Sequence, residues 1–458
     1  MSLSMLEQFI FEKMAKTKLP GLGAAAFKSG ELIWSKGFGF RDISKGLPMT
    51  PHTLCAIGSV TKSFTAISIM QLVEQGKIQL EDPIDKYFPF DIRPEGEPIR
   101  VWHLLTHSSG IPALAYAESM IRYATGAGEN WLPIASYSDM LAFMKDAQDW
   151  AICPPGRRWF YLNEGYVLLS YIIEKTSEMP FAEYVRINIF EPLGMKRSFF
   201  EKSDVDQDTD VATPYIITQS GESIPSSYPY GLKGDGGIIS NVLDLAEYIK
   251  MYLNWGKVGE YSLLTKESIE SMEVSRIATP ILEGPFGHYG YGYGWGVISD
   301  FLGETLIGHS GSVGVATAYA GFIHDKGIGI ALLSNGGGYP LAQMGMYGLA
   351  ILMEKNPNDL PFVQRENALE ELEGVYETYK ATMVAYVKKV GDFLVIEIRD
   401  KYNTISVPLI PAKIEGNIRT FYTYTNGNKM EVEFRIEKEA ISIIYERYYL
   451  KKTGKLIN

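Results

Sequence analysis

Apolar residues recur along this chain with two different periods. Leu6 to Lys16 reads as a helix, and two short strands follow, Gly23–Lys28 and Glu31–Lys36, joined across the hairpin-type pair Ser29-Gly30. From Thr61 to Glu74 the pattern is helical, and Gly76 ends it. The apolar positions of that helix (Phe64, Ala66, Ile67, Ile69, Met70, Leu72 and Val73) wrap most of its circumference, which predicts burial in the middle of a domain. Between about 82 and 250 helix and loop dominate, with helices at Phe181–Phe190 and Asn241–Tyr252 and the turn Glu191–Met195 between them. Strand-like runs return at Gly294–Ile298, Val315–Ile323 and Gly329–Leu333, before a helix from about Leu341 to Lys355. Strands at both ends with helices between them predict an α/β (mixed α+β) domain. Its sheet is assembled from distant parts of the chain around a helical insertion.

The texture then changes. Lys355-Asn-Pro-Asn-Asp-Leu-Pro361 is a polar, proline-marked linker. Beyond a short lead-in helix, Val384–Val390 and Phe393–Ile398 flank Gly391-Asp392, and Thr420–Thr425 and Lys429–Ile436 flank Asn426-Gly427. Ile441–Leu450 closes the run. Six to eight strands in about 90 residues predict a small antiparallel β-barrel. The expected domains are therefore 1–356, with a helical insertion near 82–250, and 357–458.

A length of 458 residues fits two to four compact units, and 46% hydrophobic with 21% charged residues predicts a folded chain. The net charge of −11 argues against nucleic acid or an anionic membrane as the main partner. Residues 365–458 are close to neutral, so the acidity lies in the first domain, where a cationic substrate end would be welcome. No run of about 18 apolar residues is present, so no membrane span is expected. The start Met1-Ser2-Leu3-Ser4-Met5 lacks a basic segment followed by an apolar one, which makes a cytoplasmic location the expectation. Cys55 and Cys153 are too few for a disulfide framework or, without histidine help, a zinc site. His103 and His107 are spaced i,i+4, but no Glu follows His103, so the zincin pattern fails. No metal and no cofactor are expected.

Three segments offer chemistry. In Gly58-Ser59-Val60-Thr61-Lys62, a serine at a helix start and a lysine three residues on share one face. A desolvated lysine can serve as the base that a serine nucleophile needs, and the helix N-terminus adds N–H donors for an oxyanion. Taken alone, an N-cap serine with a solvated lysine is the commoner arrangement. In Tyr161-Leu162-Asn163, a phenol beside Lys62 is expected to titrate low and relay a proton, while Asn163 holds a substrate amide or Lys62 itself. In Gly308-His309-Ser310-Gly311-Ser312, small residues on a strand edge can receive a substrate backbone, with His309 offering a donor or a positive charge. Tyr-x-Asn and a loop histidine are each weak signals by themselves.

Jointly, the order S-x-x-K, Y-x-N, (H/K)-x-G resembles the serine penicillin-recognising family of penicillin-binding proteins, class C-type β-lactamases, D-amino-acid-specific peptidases and related esterases. Gly37–Asp42, Ile99–Pro112, Ile189–Met195, Gly234–Ser240 and Tyr293–Trp295 look like the same family, so the likeness spans roughly residues 5–355. The resemblance implies a β-lactamase/transpeptidase-like fold and an acyl-enzyme on Ser59, with Lys62 and Tyr161 sharing base and acid duty. It further implies backbone N–H groups of Ser59 and Ser312 as the oxyanion hole, and Asn163 as a ligand of the substrate amide. His103 and His107 then belong to a structural segment. Where β-lactamases carry K-T-G, this chain has His309, which is expected to be neutral near pH 7 and so to weaken recognition of penicillins and C-terminal carboxylates. Lys452-Thr453-Gly454 is a decoy in the barrel. The resemblance points to hydrolysis of short peptides with D-residues and a free amino end. The alternatives are a carboxylesterase acting on small acyl substrates with the same residues, and a non-catalytic ligand-binding or sensor protein. Leu372–Tyr376 looks like the start of a lipocalin-like barrel, read either as a lid and assembly module or as a binder of its own apolar ligand. In layout the chain is similar to an archaeal family member whose barrels help build a cube-shaped octamer, which implies a homo-oligomer.

Overall fold

The turn pair at Ser29-Gly30 places both residues at positive φ (54° and 79°) in the computed structural model, the geometry that suits a two-residue hairpin. The structure describes residues 2–456 apart from 90, 91, 130, 131, 133, 135, 283 and 439. The hairpin joins β1 (Gly21–Lys28) to β2 (Glu31–Asp42), which runs on to β3 (Leu47–Pro48). Six further strands come from the other side of the insertion: β4 (Ile277–Ala278), β5 (Tyr289–Tyr291), β6 (Gly296–Phe301), β7 (Glu304–Ser312), β8 (Thr317–Ile323) and β9 (Ile328–Ser334). They form one antiparallel sheet in the order β4-β5-β6-β7-β8-β9-β1-β2-β3. The seam between the distant parts is β1 against β9, in register from Leu22↔Ser334 to Lys28↔Ile328.

Strand alternation gives this sheet two covered faces. Gly329 faces Ile249 of α5 (Val242–Leu253), whereas its neighbour Ile330 meets Gly348 of α6 (Leu341–Leu352) on the opposite side, where Leu6 of α1 (Leu3–Thr17) also packs. β1 is accordingly buried along its length except at Lys28. In the helical region, α2 (Thr61–Glu74) is buried at every position from Thr61 to Leu72, as its all-round apolar pattern predicts, and packs on α4 (Asn163–Ser177). The segment 181–193 is less regular than a single helix: Phe181–Val185 is α-helical, Arg186–Phe190 widens to π geometry, and a short turn of helix follows at Glu191–Leu193. Cys55–Ala56 pairs with Ile239–Ser240, which fixes the chain entering α2 beside the loop around Asp235.

By internal packing the chain divides into Met1–Lys355 and Asn356–Asn458. In the second unit α7 (Pro361–Glu371) precedes a closed antiparallel barrel of eight strands. These are β10 (Gly374–Glu377), β11 (Val384–Val390), β12 (Phe393–Arg399), β13 (Thr404–Lys413), β14 (Ile418–Thr425), β15 (Asn428–Glu437), β16 (Ala440–Tyr445) and β17 (Tyr448–Gly454). The expected single run at 441–450 is two strands broken at Glu446, which takes φ 52°. The hydrophobic pattern did not mark β13, because it carries Pro408 and Pro411. The interior is packed with side chains such as Leu394, Leu409, Phe421 and Phe434, the last two meeting edge to face at 5.2 Å. Lys452-Thr453-Gly454 lies on β17, a strand of the barrel and not of the nine-stranded sheet. No helix among the described residues is long and apolar enough to cross a membrane.

Candidate active site

Ser59 sits on a 3-10 turn, Gly58–Val60, that runs directly into α2. Gly58 takes φ +50°, a conformation that favours glycine, and so turns the chain sharply enough to lift Ser59 toward solvent. One turn on, Lys62 is 0% exposed and its amine is fully engaged. Nζ lies 3.2 Å from Ser59 Oγ and donates to Asn163 Oδ1 at 2.7 Å and to the Asp235 carbonyl at 2.6 Å. Burial pushes the Lys62 amine down to about 8, against the opposing pull of the Asp235, Glu118 and Glu164 carboxylates. The base candidate thus lies beneath the nucleophile with its basicity lowered toward the working pH.

Tyr161 enters from the segment before α4, with Lys62 Nζ 4.8 Å from its ring centroid. Burial pushes its phenol above the ordinary value, only partly offset by the neighbouring Ser59 hydroxyl, while Asp235 and Glu118 push the same way. This corrects the expectation of a low-titrating tyrosine. The amine stands over the ring face, and desolvation outweighs the Ser59 contact, so the hydroxyl keeps its proton. Asn163, at the start of α4, also donates through Nδ2 to Glu118 Oε1 at 3.4 Å.

β7 borders the site on the other side. Beyond Gly308, which pairs with Gly296, β6 no longer covers it. From there side chains alternate: His309 and Gly311 are buried, Ser310 and Ser312 exposed. A Cβ on Gly311 would run into the Ile57 carbonyl and come 3.0 Å from Ser59 N, and one on Gly58 would come 2.6 Å from Ser312 N. Two bare Cα atoms thus let the turn and the strand approach until the amides of residues 59 and 312 are neighbours, the arrangement that two oxyanion donors need.

The same alternation takes His309 out of the cavity. The residue is 9% exposed, with Nε2 2.8 Å from the Tyr291 hydroxyl and Nδ1 2.6 Å from the Ser310 carbonyl. Nδ1 therefore carries the hydrogen and Nε2 accepts from Tyr291. Burial, reinforced by Lys62, pushes His309 down to about 4. It is neutral, and it is not among the described residues lining the cavity, so the expected donor or charge facing substrate is corrected to a buried brace between Tyr291 and β7. The cavity itself measures about 560 Å³ and is lined by Ser59, Tyr161, Asn163, Gly311 and Ser312, with Glu118 and Arg122 of α3 (Tyr116–Thr125) on a further wall.

Residues 6–350 match the family described as Beta-lactamase. The chain belongs to the β-lactamase family. Residues 357–451 match the Pab87 octamerisation domain. Among solved structures, the octameric penicillin-binding protein homologue from Pyrococcus abyssi is 47% identical, over 99% of this chain and 100% of that one, with a TM-score of 0.94. Penicillin-binding protein 4* of Bacillus subtilis (strain 168) is 26% identical over 66% of this chain, and Protein flp of Staphylococcus aureus (strain MW2) is 25% identical over 73%. The matches span only 65% and 63% of those two relatives' lengths.

Several residues of this β-lactamase-family site carry no role in the sequence reading. Asp235, 2% exposed, offers Lys62 its carbonyl and accepts from the Tyr116 hydroxyl at 2.9 Å through its carboxylate. Glu164, buried under α3, accepts from the Tyr116 amide at 3.1 Å, and burial pushes it up to about 7. An aspartate inside Gly234-Asp235-Gly236-Gly237 and an acid directly after Asn163 were the available signals. The two close histidines act as structural braces. His103 Nδ1 accepts from the Arg100 amide at 2.9 Å. His107 accepts from Leu162 through Nδ1 at 3.0 Å and from Phe160 through its carbonyl at 2.7 Å, which holds both residues flanking Tyr161. Among the described residues no cluster of His, Cys, Asp or Glu is suited to a metal.

Proposed function

We propose that this chain is a serine hydrolase that cleaves short peptides through an acyl-enzyme on Ser59. The observation that carries this reading is the buried amine of Lys62, pushed down to about 8 and lying 3.2 Å from Ser59 Oγ. In the reaction, Lys62 takes the Ser59 proton as Oγ attacks the carbonyl carbon. The amides of Ser59 and Ser312 receive the charge that develops on the carbonyl oxygen. Tyr161 gives its proton to the departing amine as the C–N bond breaks, and recovers one from Lys62. Water then attacks the ester, delivering its proton along the same pair and freeing Ser59. Asn163 holds Lys62 through Oδ1 and leaves Nδ2, turned toward Glu118, for the substrate amide.

The charges around the cavity support a short peptide with a free amino end. Glu118 is an exposed carboxylate on the wall, and Arg122, exposed one turn along, would meet the far carboxylate of the same molecule. His309, neutral and turned inward, contributes nothing to a carboxylate beside the scissile bond, which fits the D-aminopeptidase-like branch that its position in the third motif resembles, and hence D-residues. We further propose that the barrel assembles the chain into a homo-octamer, a reading supported by the octamerisation-domain match and by the octameric homologue.

A digest of D- and L-peptide libraries read by mass spectrometry tests the substrate class. Cleavage of short peptides at the residue bearing the free amine is the expected result. Turnover of acyl esters without any peptide cleavage would replace the peptidase by a carboxylesterase. No acylation of Ser59 by a fluorophosphonate would refute the mechanism altogether.

A further inference from the structure

Beside the catalytic groove lies a second cavity that the acyl-enzyme chemistry leaves unused. It measures about 320 Å³ and is walled by Trp159, Tyr289, Tyr291, Leu306, Tyr319 and Met346. Ser310 and Ala342 border both spaces, so the cavity meets the groove at the outward side chain of Ser310. Its floor is a strip without side chains, where Gly296 of β6 pairs with Gly308 of β7 and Gly308 with Gly321 of β8. Tyr319 lies along that strip: a Cβ on Gly308 would come 2.7 Å from its hydroxyl oxygen, and one on Gly321 would come 2.5 Å from it.

Tyr319 is 3% exposed, yet its hydroxyl has no hydrogen-bond partner among the described residues. Trp159 also lines the space, and its indole N–H is buried without a partner. A buried indole N–H without a partner in an otherwise apolar, aromatic chamber is costly unless something arrives to meet it, and the Tyr319 hydroxyl is open to the same visitor. What fits is a planar apolar group with a hydrogen-bonding tip.

We propose that this cavity is a side-chain subsite on the leaving-group side of the scissile bond, shaped for an aromatic residue, above all tyrosine. It rests on the acyl-enzyme reading given above. The side of the bond follows from the order of groups along β7. The oxyanion donor is at Ser312, whereas the cavity opens at Ser310. It is lined by Trp159, whose ring lies 5.8 Å from that of Tyr161, the group that protonates the departing amine. The residue leaving with that amine is thereby delivered to the aromatic chamber.

The test uses the full chain and three dipeptides with alanine as the common acyl residue: Ala-Gly, Ala-Phe and Ala-Tyr, in the stereochemistry the protein accepts. The expected order of kcat/KM is Tyr over Phe over Gly, with about tenfold or more between the ends. Met346→Trp fills the cavity from a half-buried helix position. It is expected to bring Ala-Tyr and Ala-Phe down to the value of Ala-Gly while leaving Ala-Gly within about twofold of the wild type. Tyr319→Phe is expected to remove only the advantage of tyrosine over phenylalanine. Equal kcat/KM for the three peptides, or a preference that survives Met346→Trp, overturns the subsite and leaves the acyl-enzyme standing. Failure of a fluorophosphonate to label Ser59 overturns both.

Discussion

Replacing Lys62 by arginine keeps a cation beneath Ser59 and removes the one that can lose its proton. The structure sets the scale of the loss. A group held at about 8 is uncharged in about a tenth of the molecules at pH 7, against roughly one in three thousand for an ordinary lysine amine. Burial thus enlarges the working fraction by a few hundredfold, and a positioned base is worth about 10²–10⁴ in rate. The sign of the pH dependence follows. Below about 8 Lys62 is protonated and cannot accept from Ser59, so acylation rises with pH with unit slope and levels above that value. Tyr161 is pushed up by burial and stays protonated throughout, so it adds no limb in this range. Glu164, held at about 7, titrates nearby. Glu164→Gln is expected to move the midpoint slightly to lower pH, by removing a carboxylate that stabilises the ammonium, without changing the slope. The assay is the stopped-flow burst of p-nitrophenol from a p-nitrophenyl ester between about pH 6 and 10. A flat burst rate in the wild type, or a Lys62→Arg burst within about tenfold of it, would refute the assignment of the base.

Ser59→Ala is expected to abolish both turnover and fluorophosphonate labelling, read by intact-mass spectrometry. Gly311→Ala places a methyl against the Ile57 carbonyl and separates the amides of 59 and 312, so kcat should fall about 10²–10³-fold with KM little changed in steady-state kinetics. Light scattering on the full chain is expected to give a particle of eight 51.2 kDa chains, and a monomer at working concentration would remove the octamer proposal.

Most of the framework is legible because it rests on periodicity. The all-round apolar α2, the Ser29-Gly30 hairpin and the Asn426-Gly427 hairpin all fold as their patterns predict. The candidate site is legible where the proposed chemistry needs residues close in sequence: Ser59 and Lys62 are one helical turn apart by covalent geometry alone. What escapes is set by tertiary surroundings. The titration of Tyr161 depends on how much water its hydroxyl loses, and nothing in Tyr-x-Asn encodes that. The inward turn of His309 follows from strand parity, which becomes readable only once Glu304–Ser312 is known to be one strand. Asp235 acts partly through its carbonyl, a group every residue possesses, so side-chain identity gave little warning of it.

The position of β1 has a consequence for biosynthesis. Its two neighbours, β9 and β2, come from opposite directions along the chain, so a strand made near residue 21 waits for one ending at residue 334. At ordinary translation speeds that delay is roughly 15–60 s, during which the buried Gly21–Phe27 stretch has only its hairpin partner. A ribosome stalled anywhere before β9 therefore displays an unfinished sheet with an open edge.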